Sequence, residues 1–261
     1  MAASVYESTI LGKLFDPGEA GRLFTDSAEV RAMMLVEGTL AKVQGAAGGI
    51  PELSAAAIHR ASLELQIDPG GLGPDTATNG VCVPALVAHF RELMQAPEHA
   101  QYLHWGATSQ DIIDTALMLR LRQVLTFYET RLSAVLAHLA RLAEAHATLV
   151  VPARTFGQFA TPTSFGAQCA GWGQPLLDLR AELPGLRASS LWVSLSGAAG
   201  TASALGADPA GLRADLARAL GLRDPGRCWH ADRTPILRIA QWIGRAQASL
   251  GQTGRDLTLA S

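Results

Sequence analysis

Lysine is almost absent from this chain: Lys13 and Lys42 stand alone, and arginine supplies the rest of the 21 basic residues against 23 acidic ones. The net charge of -2 leaves no broad positive field, which argues against nucleic acid or an anionic membrane as a partner. Positive charge must act locally, and the planar arginine fork suits carboxylates; an arginine-rich coding bias accounts for the same composition. Cysteine is scarce too. Cys82, Cys169 and Cys228 are odd in number and far apart, which speaks against a disulfide framework and a zinc site and points to a reducing cytoplasm. No uninterrupted apolar run reaches about 18 residues, the length a membrane span needs, and Met1 to Glu7 lacks the basic start of an export signal. There is no G-x-G-x-x-G after a strand, no P-loop and no G-x-S-x-G, so dinucleotide, nucleotide-triphosphate and serine-hydrolase chemistry have no support and no cofactor is expected. The histidines show no H-x-x-x-H spacing, and no metal is expected.

What the chain has is a large apolar fraction, 48% against 17% charged residues, enough for a sizeable core. Apolar residues recur at steps of three and four, while the alternation of strands is nearly missing, so the fold class is all-α. Helices are expected over Ser27 to Ala47, Ser54 to Leu65, Val81 to Met94, Ser109 to Ala147, Thr163 to Leu183, Pro209 to Leu220 and Thr234 to Leu259. The Pro/Gly-rich segment Asp68 to Asp75 and the segment Gly221 to Arg227 read as loops. In the helix after Ser109, Leu117, Leu121, Val124, Tyr128, Leu132, Val135, Leu139 and Leu142 form one stripe. About 38 residues at 1.5 Å each span roughly 57 Å, and such a rod needs neighbours, with the helices after Thr163 and Thr234 the obvious ones. The expected architecture is an elongated bundle of long helices, residues 101–261, with a smaller N-terminal helical domain, residues 1–100. Gly171, Gly173 and Pro175 should bend or interrupt the second rod.

Four polar clusters punctuate this pattern. His104-Trp105-Gly106-Ala107-Thr108-Ser109-Gln110-Asp111 opens the long helix, and Thr108 with Asp111 three residues on is a capping-box spacing. Free backbone N–H groups and two hydroxyls at a helix N-terminus would favour a bound anion; an ordinary cap has the same spacing. Arg154-Thr155-Phe156-Gly157-Gln158 combines guanidinium, hydroxyl and amide, a set suited to a carboxylate or its enolised form, in what otherwise reads as a loop with a helix start at Pro162. Ser194-Leu195-Ser196-Gly197-Ala198-Ala199-Gly200-Thr201 is a small-residue loop that either brings backbone N–H groups to a ligand or simply connects two elements. Trp229-His230-Ala231-Asp232-Arg233 precedes the last helix.

The motifs H-W-G-A-T-S-Q-D-I-I-D-T, R-T-x-x-Q-x-A-x-P-T, S-G-A-A-G-T and W-H-x-x-R, in this order, resemble the fumarase/aspartase superfamily. Within it the resemblance is to the bacterial 3-carboxy-cis,cis-muconate cycloisomerase family, whose members close a tricarboxylate diene into carboxymuconolactone in protocatechuate (β-ketoadipate) degradation. The resemblance implies a cytoplasmic homotetramer with a long-helix core and active sites built from three subunits, acting on a small tricarboxylate. By motif matching it implies that His104, Thr108 and Ser109 contact a substrate carboxylate, with His104 and Ser109 in catalytic positions. Arg154, Thr155 and Gln158 would hold a second anionic group and Arg233 a further one. Asn79 lies where lyase relatives carry a histidine-containing segment and would be a polar site residue.

Two departures bear on the chemistry. Relatives that expel an amine or hydroxide often read R-T-H-x-Q, and this chain has Phe156 at the histidine. A carboxylate, with an ordinary pKa near 4, attacks or leaves without general-acid help, so the loss favours lactone formation over an adenylosuccinate-lyase-like elimination. The G-S-S-x-M-P-x-K-x-N-P loop of the superfamily, with its acid/base serine, does not occur between Met1 and Ser261. That reads as a C-terminally shortened version of the fold, either a truncated enzyme or a non-catalytic helical oligomer or binding module.

Overall fold

The computed structural model describes residues 4–260. Helices α1 (Gly18–Gly21), α2 (Asp26–Ala46), α3 (Glu52–Glu64), α4 (Gly73–Asn79), α5 (Val83–Met94), α6 (Pro97–Ala100) and α7 (Ser109–Ala145) come first. A two-stranded antiparallel hairpin follows, β1 (Val150–Thr155) and β2 (Gln158–Ser164), and then α8 (Phe165–Ser190), α9 (Pro209–Leu220) and α10 (Thr234–Ala260). The mostly helical architecture is the one the periodicity required. The chain divides into two compact units, one made of residues 1–124 and 191–232, the other of residues 125–190 and 233–261.

In the first unit, Thr25 caps α2 by accepting from the Ala28 N–H at 3.2 Å. Val30, Met33, Met34, Leu40 and Ala41 then bury one broad face. A Cβ at Gly38 would lie 1.9 Å from Ser62 Oγ, so glycine lets α2 and α3 touch nearly backbone to backbone. Along α5, Val83, Leu86, Val87 and Phe90 are buried at helical spacing. The N-terminal part of α7 departs from the expected single stripe: Asp111, Ile112, Asp114, Thr115, Ala116, Met118, Leu119 and Arg120 are all buried, whereas Leu142 near the other end is exposed. The helix start is therefore surrounded rather than laid on a surface. Helix α9 begins at an Asp208 cap, whose carboxylate accepts from the Gly211 N–H at 2.8 Å, and ends at left-handed Gly221. Around it, Leu191 to Val193 runs extended, exchanging backbone hydrogen bonds with Arg223.

In the second unit, α8 and α10 pack through Leu176, Leu179, Leu183, Ile239, Trp242 and Ala246, all buried. The Trp242 indole N–H donates to Leu179 O at 3.0 Å, and its ring meets Tyr128 of α7 edge-on at 6.0 Å.

Three local expectations are corrected. Helix α8 is not interrupted at Gly171, Gly173 or Pro175, nor at Pro184, because each proline removes one backbone bond while the buried leucines on either side hold the helix in place. Asp68 to Asp75 is not a loop: Pro69–Leu72 is a 3-10 turn, and α4 starts at Gly73 with proline in its first turn. The segment read as a loop with a helix start at Pro162 is the β1–β2 hairpin, with Thr155 opposite Gln158 and a two-residue turn of Phe156 and Gly157, at φ 47° and 78°. Positive φ at both positions is what a type I′ turn demands, and Phe is a rare occupant of the first. The loop at Gly221 to Arg227 is as expected.

Candidate active site

The mouth of α7 is organised by one carboxylate. Asp111 is fully buried and takes five hydrogen bonds: from the Thr108 N–H at 3.1 Å, Ser194 Oγ at 3.1 Å, the Ser196 N–H at 2.8 Å, the Gly197 N–H at 2.9 Å and His230 Nε2 at 2.8 Å. A carboxylate removed from water needs this many donors. The bond from Thr108 is half of the capping box; the other four tie the small-residue loop and the W-H-x-x-R segment to the helix start. One turn later Thr115 repeats the device, its hydroxyl donating to Ser194 O at 3.1 Å and accepting from the Ser194 N–H at 2.9 Å. Three of the four sequence clusters thus meet at Asp111 and Thr115.

This geometry narrows the set of backbone donors open to a ligand. The N–H groups of Thr108, Ser196 and Gly197 point into the Asp111 carboxylate. The half-buried Thr108 and Ser109 hydroxyls lie at the same mouth.

His104 sits in the turn before α7 with φ 64°, a left-handed conformation unusual outside glycine. Its neighbours hold it there: Leu103 O accepts from Arg91 Nη2 at 2.9 Å, and Trp105 O accepts from Gln44 Nε2 at 2.7 Å. Gly106 has φ 72°, and a Cβ on it would lie 2.5 Å from Ala204 O, so only glycine fits. The His104 ring bonds through Nδ1 to Glu37 Oε1 at 2.6 Å. Burial pulls the imidazole pKa down, but the hydrogen bond and charge of Glu37, with the charge of Asp111, push it up by more and outweigh Arg91, so it stands above its ordinary value.

The remaining expected residues lie elsewhere in the chain. Asn79 ends α4, exposed, just before left-handed Gly80. Arg154, Thr155 and Gln158 flank the hairpin turn of the second unit, all exposed, with Arg154 stacked 4.7 Å over the Phe159 ring and donating to Gly157 O at 3.3 Å. Phe156 is fully exposed at the tip. Arg233 is half-buried immediately before α10. Among the described residues, no group of three or more His, Cys, Asp or Glu side chains is arranged to hold a metal ion.

Sequence reasoning passed over Glu37, Ser194 and His230. Glu37 had a signal: it is the one charged residue in Met33-Met34-Leu35-Val36-Glu37-Gly38-Thr39-Leu40-Ala41, on the face that the helical period assigns to the core. Ser194 and His230 lay inside recognised clusters, but their bonding to Asp111 spans 83 and 119 residues, which no local pattern reveals.

The α7 mouth of this long-helix fold gathers a Thr-Ser pair, a carboxylate-paired histidine and a small-residue loop, and residues 23–261 match the Lyase family. The chain belongs to that family, within the fumarase/aspartase superfamily. It is 35% identical over 239 residues to 3-carboxy-cis,cis-muconate cycloisomerase of Pseudomonas aeruginosa, covering 91% of this chain and 52% of that protein. The crystal structure of 3-carboxy-cis,cis-muconate lactonizing enzyme from Pseudomonas putida superposes with a TM-score of 0.87 at 34% identity, covering 91% of this chain and 54% of that one. A fumarate lyase from Mesorhizobium sp. BNC1 superposes at 0.88 and 32% identity, covering 92% of this chain and 56% of that one. The chain spans about half the length of the relatives it matches. No helix among the described residues is long and apolar enough to cross a membrane.

Proposed function

We propose that this chain carries the substrate-holding part of a cycloisomerase that interconverts 3-carboxy-cis,cis-muconate and carboxymuconolactone. The observation that carries the reading is the 35% identity, over nine-tenths of the chain, to an enzyme of that name. Phe156 supports it chemically. A fully exposed phenyl ring at the hairpin tip offers no proton to a departing amine or hydroxide, and lactone formation has no such leaving group to protonate.

In the proposed reaction one substrate carboxylate oxygen bonds to an alkene carbon. The C=C electron pair shifts to the carbon α to another carboxylate, giving an enediolate-like anion, and a proton then adds to that carbon. Thr108 and Ser109 hold one carboxylate. Arg154, Thr155 and Gln158 hold a second anionic group, Arg233 a third, and Asn79 adds a polar contact. His104 hydrogen-bonds the carboxylate beside Thr108 and relays the proton. The proposed assembly is a cytoplasmic homotetramer in which these residues converge from separate copies. Exposed Leu250 and Leu257, seven residues apart on α10, fit a helix face that a neighbouring chain covers.

The test is loss of the diene ultraviolet absorbance when the folded protein meets 3-carboxy-cis,cis-muconate, with the lactone identified by NMR. Absence of turnover together with absence of binding would overturn the reading. Binding without turnover, in a stable oligomer, would identify a substrate-holding module; release of fumarate from adenylosuccinate would favour the elimination chemistry.

A further inference from the structure

Glu37 is a buried acid with a single hydrogen-bond partner. It lies in the middle of α2, its side chain is buried, and the flanking positions Val36, Gly38, Thr39 and Leu40 are buried as well. One oxygen accepts from His104 at 2.6 Å, while the other, Oε2, has no hydrogen-bond partner. Two turns along the same helix, buried Gln44 is anchored to the carbonyl of Trp105, next to His104. Helix α2 thus reaches the turn before α7 twice, once at the backbone and once at the imidazole.

An ionised carboxylate buried with half its acceptor capacity unused destabilises the fold unless its charge is matched. The charged groups that bear on the pair are Arg91 from α5 and Asp111 from α7. Asp111 is itself saturated by five donors, and Arg91 donates to Leu103 O. The imidazolium of His104 is the counter-charge in direct contact. With Nδ1–H committed to Glu37, the ring has no tautomeric choice: Nε2 is its second protonation site, on the far edge of the ring. The arrangement has the form of a carboxylate that fixes a histidine so that the opposite nitrogen meets a ligand.

We infer that Glu37 is a positioning residue, which locks the His104 ring through Nδ1 and presents Nε2–H as a cationic donor to an anionic ligand at the mouth of α7. The ligand class, a carboxylate, rests on the cycloisomerase reading above; the lock between Glu37 and His104 does not.

The experiment uses the whole chain with 15N-labelled histidine, and wild type is compared with Glu37→Gln and Glu37→Asp. In wild type the imidazole 15N shifts should report Nδ1 protonated across the titration, a measurement that needs no variant to fold. Glu37→Gln should move the His104 titration to lower pH, and Glu37→Asp, which keeps the charge, should restore part of it. With tricarballylate as probe, Glu37→Gln should weaken binding about tenfold at pH 7.5, the loss of one charge-assisted hydrogen bond, and the deficit should shrink as the pH is lowered and His104 becomes protonated in the variant as well. A buried glutamate with a merely structural role would not give this pH dependence. An unchanged His104 titration in folded Glu37→Gln, or a mixture of His104 tautomers in wild type, would overturn the inference. If wild type ignores both tricarballylate and 3-carboxy-cis,cis-muconate and turns over neither, while Glu37→Gln still shifts the titration, the cycloisomerase reading fails and the positioning of His104 by Glu37 stands.

Discussion

His230 donates from Nε2 to Oδ1 of Asp111 at 2.8 Å, across 119 residues of sequence. The ionised carboxylate is an acceptor only, so the ring must carry its proton on Nε2 in this contact. The pair ties the segment before α10 to the first turn of α7, and the same carboxylate holds Ser194, Ser196 and Gly197. The small-residue loop is shaped around this charge.

Replacing Asp111 by Ala should therefore be among the most damaging single changes, costing about 3 to 5 kcal/mol because five donors, three of them buried, lose their acceptor together. Urea denaturation checks this. Ser194→Ala removes one donor of the five and should cost about 1 kcal/mol; an equal cost for the two variants would deny Asp111 its central role.

Gly106→Ala should destabilise the protein by about 1 to 3 kcal/mol, since φ 72° disfavours any side chain and the new methyl would press on Ala204 O. The same change at exposed Gly157, also at positive φ but with open space around it, should cost less. Thermal denaturation of both variants separates steric clash from backbone strain.

Ser109→Ala should leave stability nearly unchanged, because no protein partner depends on that hydroxyl among the hydrogen bonds described. It should weaken tricarboxylate binding by about 1 to 3 kcal/mol if the hydroxyl holds a desolvated carboxylate. Calorimetry with tricarballylate decides; undiminished affinity would remove Ser109 from the site.

The His104 pKa lies above its ordinary value through Glu37 and Asp111. A raised histidine contributes stability that is complete below the unfolded pKa of about 6.5 and is lost as pH rises through the higher folded value. The stability gap between wild type and Glu37→Gln should accordingly be wide near pH 6 and narrow by pH 9. A gap that widens with pH would contradict the direction of the shift.

Much of the helical framework is legible locally. The steps of three and four residues locate α2, α3, α5, α7, α9 and α10 to within a few residues, because burial of one helix face imposes that period. Thr25 and Asp208 announce their caps by residue type. The hairpin escaped because Phe156-Gly157 is not a common type I′ pair, and its strands are exposed enough to lack apolar alternation. Continuity of α8 escaped because a proline's cost is fixed locally, while the packing that offsets it comes from other helices.

The sequence by itself determined the helical class, the four clusters and, through their order, the family: these depend on residue type and on spacing along one chain. Tertiary structure decided which groups face each other. Asp111 proved to be the acceptor for three backbone N–H groups from two motifs, and Glu37 the partner of a histidine 67 residues away. Both pairings follow from the need of a buried charge for donors or a counter-charge, and only the folded chain brings those within reach.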